Sequence, residues 1–432
     1  MQEAFRSAVT NKSKTFGMDE ELFSSYSRLI NPAYPPFLRR LGIDRVAVKA
    51  EGACITDSCG RTYIDCISGY GLFNLGHNHP RVVEALKAQL NDKQLFTRPF
   101  ITEVQVRLAE KLAEISPEGL SCSFVCNSGS EAIDSVIKLA RLYKGKKEII
   151  TAENSFHGYT LGALSASGIL AFKRPFEPLI GEIIHVPFGD SKTLENCVSS
   201  DTAAILLEPI QHEAGLSIPS HDYFRNVRRI CNEHDIIFIL DETKTGFGKT
   251  GCMFAIEHFG VTPDVLVIGK SMGGGLMPIG AMIAKEKYWK KFGLTFSMSA
   301  SSFAGNALAS RAALTTISVL QDEDLINDCR RKGTMFLKRL GQCTEKHSRV
   351  LKGVKGLGLL IGVETTTPQK ASILAREMIR RNVLVAPAFG NSSALIFEPP
   401  LVISVEQINT VIDCFEDSLR DLTEDEVEKS HE

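Results

Sequence analysis

The chain has 432 residues, 44% hydrophobic and 23% charged, with a formal net charge of −2. Such a composition makes a globular protein with a large core, and the length suits two domains of ~100–200 residues each. The balanced charge argues against nucleic acid, no apolar run nears the ~20 residues that cross a bilayer, and the eleven cysteines lack zinc or redox spacing.

The N-terminus, Met1–Ser7, has no apolar signal core, and scattered thiols suit a reducing compartment, so a cytoplasmic protein is expected. Residues 1–45 read as an arm rich in aromatics and prolines, with Tyr26, Tyr34, Pro35, Pro36 and Phe37. Val46–Val48 and Thr62–Ile67 predict a small hairpin, and 80–115 carries helical periodicity. Short apolar strands then alternate with helices: Ser123–Cys126, Glu148–Thr151, Glu182–Val186, Ala203–Leu207, Ile236–Leu240 and Val265–Ile268. That alternation predicts an α/β fold, a mostly parallel sheet with helices on both faces. Beyond about 320 come a long helical stretch, a strand at Leu359–Val363 within Gly353–Glu364, and two further helices. The expected division is 1–70 (arm and part of a small domain), 71–320 (large domain) and 321–432 (the rest of a small α+β domain).

Two strand ends carry the chemistry. The run Val265–Ile268 ends in Gly269-Lys270 and a glycine-rich turn, and Ile236–Leu240 ends in Asp241-Glu242. Lysine is rarely buried without a partner or a task. In one parallel sheet Lys270 and Asp241 emerge at the same edge, where open α/β sheets bind ligands. A lysine and a carboxylate aimed at one crevice suit pyridoxal phosphate; a structural ion pair is the plainer reading.

Other segments add to this. Cys126–Ala132 follows a strand and opens a helix at Ile133, so Ser128, Gly129 and Ser130 offer a helix N-terminus to an anion, or make an ordinary cap. Phe156 and His157, just past a strand, offer a ring to stack on a heteroaromatic, or simply core. Glu208, Gln211 and Glu213 end another strand with two carboxylates and an amide. Ser301–Asn306 is a small-residue turn with hydroxyls.

In order along the chain, Gly71–His77, Asn127–Ala132, Phe156-His157-Gly158, Glu208-Pro209-Ile210-Gln211, Leu240-Asp241-Glu242, Thr245-Gly246, Gly248–Gly251, Lys270, Phe303, Gly305-Asn306 and Glu398-Pro399-Pro400 resemble the class III aminotransferases. These are a branch of the fold-type I pyridoxal-phosphate enzymes. Phe73–His77, Met277–Gly280 and Phe397–Leu401 look most like the putrescine (diamine) members.

The resemblance implies roles residue by residue. Lys270 would form the Schiff base and shuttle the proton, and Asp241 would pair with the pyridine nitrogen. Ser128, Gly129 and Ser130 would hold the phosphate, Phe156 would stack on the ring, His157 and Glu208 would support the cofactor, and Gln211 would approach its phenolic oxygen. Ser302 would reach the phosphate of a neighbouring subunit, which implies a homodimer with shared active sites. No metal is implied.

Two positions depart from the ornithine-type pattern. Tyr159 and Ile396 stand where those relatives carry arginines that grip substrate carboxylates. Glu213, without its arginine, is free to face an ammonium. The expectation is amino transfer from a diamine or other ω-amine to a 2-oxo acid or aldehyde, with Tyr70, Tyr159, Glu213 and Ala386–Gly390 shaping the pocket. A racemase, epimerase or aminomutase on the same fold shares every cofactor residue, a large substrate such as an amino sugar fits the same motifs, and a scaffold that keeps the fold without chemistry is the rival from another class.

Overall fold

The computed structural model describes residues 17–92, 100–293 and 301–429. Its strands are β1 (Ala47–Glu51), β2 (Cys54–Asp57), β3 (Thr62–Asp65), β4 (Leu120–Cys126), β5 (Glu148–Ala152), β6 (Ile183–Val186), β7 (Thr202–Leu207), β8 (Ile237–Asp241), β9 (Val265–Ile268), β10 (Gly280–Lys285), β11 (Leu351–Leu357), β12 (Leu360–Thr365), β13 (Val383–Leu384), β14 (Ala386–Pro387) and β15 (Ala394–Phe397). The helices used below are α1 (Pro80–Asn91), α2 (Glu103–Ile115), α3 (Gly129–Lys144), α4 (Tyr223–Glu233), α5 (Ala307–Asp322), α6 (Leu325–Lys346), α7 (Pro368–Arg380) and α8 (Val405–Lys429).

A seven-stranded sheet, ordered β4-β10-β9-β8-β7-β5-β6, forms the centre. The strands from β9 to β6 pair in parallel, and β10 alone runs against its neighbours β9 and β4. Every residue of β7, β8 and β9 is buried, which is why they read as unbroken apolar runs. Alternate side chains serve opposite faces. Ile237 and Ile239 pack with Ile133, Val136 and Ala140 of α3, while Phe238 and Leu240 join Phe224 and Val227 of α4 and Ala312 and Ile317 of α5. The sheet is thus covered by helices on both sides, the fold class expected. No described helix is long and apolar enough to cross a membrane.

Two four-stranded sheets flank it, ordered β1-β2-β3-β13 and β11-β12-β15-β14. The hairpin expected over 46–67 is three strands, because Cys54–Asp57 pairs between the two anticipated runs. Within the stretch 80–115 the structure describes two helices, α1 and α2, and residues 100–102 before α2 are not helical. The strand at Leu359–Val363 is one arm of the β11–β12 hairpin. β3 and β13 pair in parallel, Ile64 with Val383 and Asp65 with Leu384, so early and late parts of the chain share one sheet.

Candidate active site

Lys270 and Asp241 come together because β8 and β9 are adjacent and parallel, in register from Ile239↔Val265 to Asp241↔Val267. Both line one cavity of about 230 Å³ at the C-terminal ends of the strands, with Gly129, Ser130, Phe156 and Glu213 among the other walls. Lys270 has φ +45°, left-handed backbone that costs a non-glycine residue about 1–3 kcal/mol and collects at functional sites. Burial, then the Lys244 ammonium, lowers the Lys270 amine to about 8, against the pull of Glu213, Glu398 and Asp241. Such an amine is largely neutral in mild alkali, the form that can act as nucleophile or base.

Asp241 is fixed from two sides. His157 Nδ1 lies 2.8 Å from Oδ2, and the Thr243 N–H donates to Oδ1 at 3.0 Å. The other nitrogen of His157 meets Thr151 Oγ1 at 3.3 Å, so the ring bridges β5 and β8. Glu208 lies buried close by. Burial and the Asp241 charge raise its carboxyl well above the usual range, although the Phe156 N–H donates to it at 3.1 Å. Burial and crowding by Asp241 therefore both favour the neutral form of Glu208.

The start of α3 offers a seat for an anion. Ser128 caps the helix by accepting from the Glu131 N–H at 3.2 Å, and the Glu131 carboxylate accepts the Asn127 N–H at 3.0 Å. First-turn N–H groups lack intrahelical partners, and the helix end carries roughly half a positive charge. Gly129 and Ser130 turn that end to the cavity, and Ser130 Oγ accepts the Tyr159 N–H at 3.3 Å. Gly158 permits this approach: it has φ +133°, and a Cβ there would collide with Ser130 Oγ.

A row of buried charges closes the opposite side. Lys244 Nζ is 2.6 Å from Glu398 Oε2, His212 Nε2 is 3.3 Å from Glu398 Oε1, and His212 Nδ1 is 3.1 Å from Glu213 Oε1. Burial works to raise both carboxyls. For Glu213 the His212 contact and then the lysines prevail, and for Glu398 Lys244 and then His212, so each lies at about 2. Both remain carboxylates at neutral pH.

The family description "Aminotransferase class-III" matches residues 40–419. The chain is 38% identical over 419 residues to a putrescine aminotransferase of Pectobacterium atrosepticum, covering 94% of this chain and 90% of that protein. An ornithine aminotransferase of Toxoplasma gondii, whose structure is described with partial occupancy of PLP at its active site, superposes with TM-score 0.87 at 28% identity, over 98% of each chain. A transaminase from the marine bacterium Virgibacillus gives 0.84 at 28% identity, over 88% of this chain and 94% of that one.

The chain belongs to the class III aminotransferases.

It is accordingly a pyridoxal-phosphate-dependent transaminase. The cavity fits that group on its own chemistry. It offers an amine at Lys270, a fixed carboxylate at Asp241, an anion seat at the start of α3, an aromatic wall at Phe156, and at Thr243 Oγ1 a buried hydroxyl without a hydrogen-bond partner among the described residues.

Of the residues anticipated for this class III site, Lys270, Asp241, Gly129, Ser130, Phe156, His157, Glu208, Tyr159 and Glu213 all line the cavity. Ser128 lies behind its neighbour as the helix cap. Gln211 is outside the lining: its amide donates to the Glu153 carbonyl at 2.9 Å and its backbone bridges Ser217, so the turn uses it structurally. Ser302 is exposed and outside the lining, while Ser301 Oγ accepts from Asn127 Nδ2 at 2.8 Å, tying that turn to the start of α3. Tyr70 contacts Phe389 at 5.4 Å between centroids and shares a small recess with Glu213, Ile396 and Glu398. Ile396 is buried in β15. Among the described residues one group brings possible metal-ligand atoms within 4.8 Å, Glu195, Glu233 and His234; it lies outside the cavity, and Arg229 pairs with both glutamates. Lys244, His212 and Thr243 were missed as site residues. Their signal was available, since each sits just past a β7 or β8 strand end, as Lys270 does past β9.

Proposed function

We propose that this transaminase takes its amino group from a diamine or another ω-amine and passes it to a 2-oxo acid or aldehyde. One observation carries the reading: the cavity holding Lys270 and Asp241 has Tyr159 and Glu213 on its wall and Ile396 in the adjoining recess, and no arginine among its described lining. A buried Glu213 carboxylate suits the far ammonium of a diamine and repels a donor that brings a carboxylate there. The likeness to a putrescine aminotransferase supports the same donor class.

Bound pyridoxal phosphate supplies the electron sink that makes the C–H bond beside the nitrogen acidic. The chain's residues do the rest. Lys270, neutral above about 8, carries the proton away from the substrate carbon and returns it. Asp241, oriented by His157, would keep a ring nitrogen protonated through its charge. Gly129 and Ser130 would hold the phosphate at the α3 N-terminus, and Phe156 would pack against the ring. We read Ser302, on the surface, as the group offered to the phosphate of a second subunit, which makes the working unit a homodimer.

The test is the visible spectrum of cofactor-loaded protein on adding putrescine with no acceptor. Conversion to the pyridoxamine form is the expected result. An unchanged spectrum overturns putrescine as donor, and ornithine and amino sugars become the next substrates to try.

A further inference from the structure

A second cavity, of about 450 Å³, lies behind the recess that Tyr70 shares with Glu213. Its walls include the short helix Tyr34–Arg40, strands β1, β2 and β13 and the segment 67–77, with Phe23, Phe37, Leu38, Ile55, Phe73 and Leu384 among its side chains. Three spaces therefore stand in a row. His212 and Glu213 line both the reaction cavity and the recess, and Ile67, Tyr70 and Ala386 line both the recess and the second cavity. The recess has about 10 Å³, room for about one water, so Tyr70 stands as a partition between the reaction cavity and a larger chamber. Burial, then Tyr34 on the chamber side and Glu213 on the other, push its hydroxyl up to about 12, and it stays neutral.

The charged groups of the chamber are already engaged. Asp65 Oδ2 lies 2.8 Å from His77 Nε2, and Arg45 Nη1 lies 3.7 Å from Asp44 Oδ2. Asp57 accepts the Cys59 and Arg61 N–H groups at 2.9 Å and the Tyr63 hydroxyl at 3.1 Å. A charged occupant would lose its water for little return, whereas an alkyl chain would leave water for aromatic and aliphatic walls. The partition itself is strained. Ser68, Gly69, Tyr70 and Gly71 have φ of +51°, +58°, +58° and +86° in succession, left-handed backbone that disfavours any residue with a Cβ. Ser68 Oγ is buried without a hydrogen-bond partner among the described residues, and the Tyr70 ring leans on Phe389, itself half exposed.

We propose that the chamber receives the unbranched apolar tail of an aldehyde acceptor, with Tyr70 turning aside to let the tail pass. This rests on the amino-transfer reading above and names the class of the second substrate, a straight-chain alkyl aldehyde. Its carbonyl stays beside Lys270 while its methylenes leave the polar cavity. A diamine stops short of the partition, because its far ammonium stays with Glu213. The exchange balances without an outside oxidant or reductant. The aldehyde carbon gives up its oxygen and gains the amino group and a hydrogen, the donor carbon does the reverse, and one aldehyde is consumed for each one formed. Each methylene that enters the chamber raises kcat/KM by about fourfold.

The experiment starts from protein loaded with pyridoxamine phosphate, so that no donor is involved. It follows the return of the pyridoxal spectrum with straight-chain aldehydes from butanal to dodecanal. The second-order rate constant is expected to climb about fourfold per methylene over the lengths that enter the chamber and then to level off. Octan-1-ol, an unreactive probe titrated into holoenzyme by calorimetry, is expected to bind with a negative heat-capacity change. Leu38→Trp fills the chamber, and should cut both the decanal-to-butanal rate ratio and the octan-1-ol affinity by about tenfold or more. Leu38→Ala enlarges it and should move the levelling-off to a longer aldehyde, a change that a poorly folded variant does not produce. A flat chain-length series in the unmodified protein, or a climb that Leu38→Trp leaves intact, overturns the proposal. Failure of the diamine reading shows separately, as an unchanged spectrum with putrescine, while the aldehyde series needs no donor at all.

Discussion

At the scale of single residues, the site works by setting neighbouring groups to different charge states. Burial and the neighbouring Asp241 push the Glu208 carboxyl well up, while Asp241 accepts from the Thr243 N–H and lies 2.8 Å from His157 Nδ1. On the role proposed for Asp241, Asp241→Asn removes the charge that would face the ring nitrogen, so transamination should fall about 10- to 1000-fold in steady-state assays. Lys270→Ala should abolish turnover yet still bind the cofactor through the phosphate seat, seen as a spectrum of free-aldehyde type retained on gel filtration. Lys270 at about 8 also fixes a pH dependence. The amine is protonated and inert below that value and neutral above it. The initial rate of absorbance change when pyridoxal phosphate is added to apoprotein should therefore rise as pH increases through about 8. Lys244→Gln should move that rise to higher pH, since it removes the second cause of the depression.

At the scale of elements, strand direction decides what the site contains. Parallel β7, β8 and β9 deliver Glu208, Asp241 and Lys270 to one edge. This much is legible in the sequence, because strands buried on both faces are plain apolar runs and a charged residue at their end stands out. β10 was not legible: Gly280-Ala281-Met282-Ile283-Ala284 has one β-branched residue and follows a glycine-rich turn, so burial between β9 and β4 makes it a strand rather than its own propensity. Gln211 and Lys244 show the same limit from the other side. Both follow strand ends, and only the fold shows that the first turns to Glu153 while the second meets the cavity. The turn after β5 offers a direct test. Gly158→Ala sets a side chain at φ +133° against Ser130, so cofactor affinity should drop and the protein should lose about 1–3 kcal/mol in urea unfolding. Leu240→Ala, fully buried in β8, should cost about 2–5 kcal/mol by the same measurement.

At the scale of the whole molecule, the buried carboxyls pull stability in opposite directions with pH. Glu213 and Glu398, held at about 2, contribute stability that is present above the ordinary carboxyl range and lost as pH falls toward 2. Glu242 does the reverse. Burial raises it to about 7, against hydrogen bonds from Thr245 and the Ala255 and Ile256 N–H groups, so its contribution is fully present in acid and lost as pH rises through 7. Glu242→Gln should therefore narrow the difference in urea midpoint between about pH 5 and about pH 8, even if the variant is weaker at both.

The joining of β3 to β13 has a consequence in time. The backbone of Glu398 donates to Cys66 O at 2.9 Å and that of Leu401 to Asn74 O at 2.8 Å, so β3, paired with β2 on one side, gains its second neighbour only once the segment 383–401 exists. A ribosome delivers the central sheet, with Asp241 and Lys270, well before that segment. Pairings of such long sequence separation close late. Asp241 and Lys270 are thus synthesised first, and Lys244 waits for its counter-ion Glu398 until the chain has passed β15. A nascent chain halted between β10 and β13 would carry Asp241 and Lys270 but not the counter-ion of Lys244.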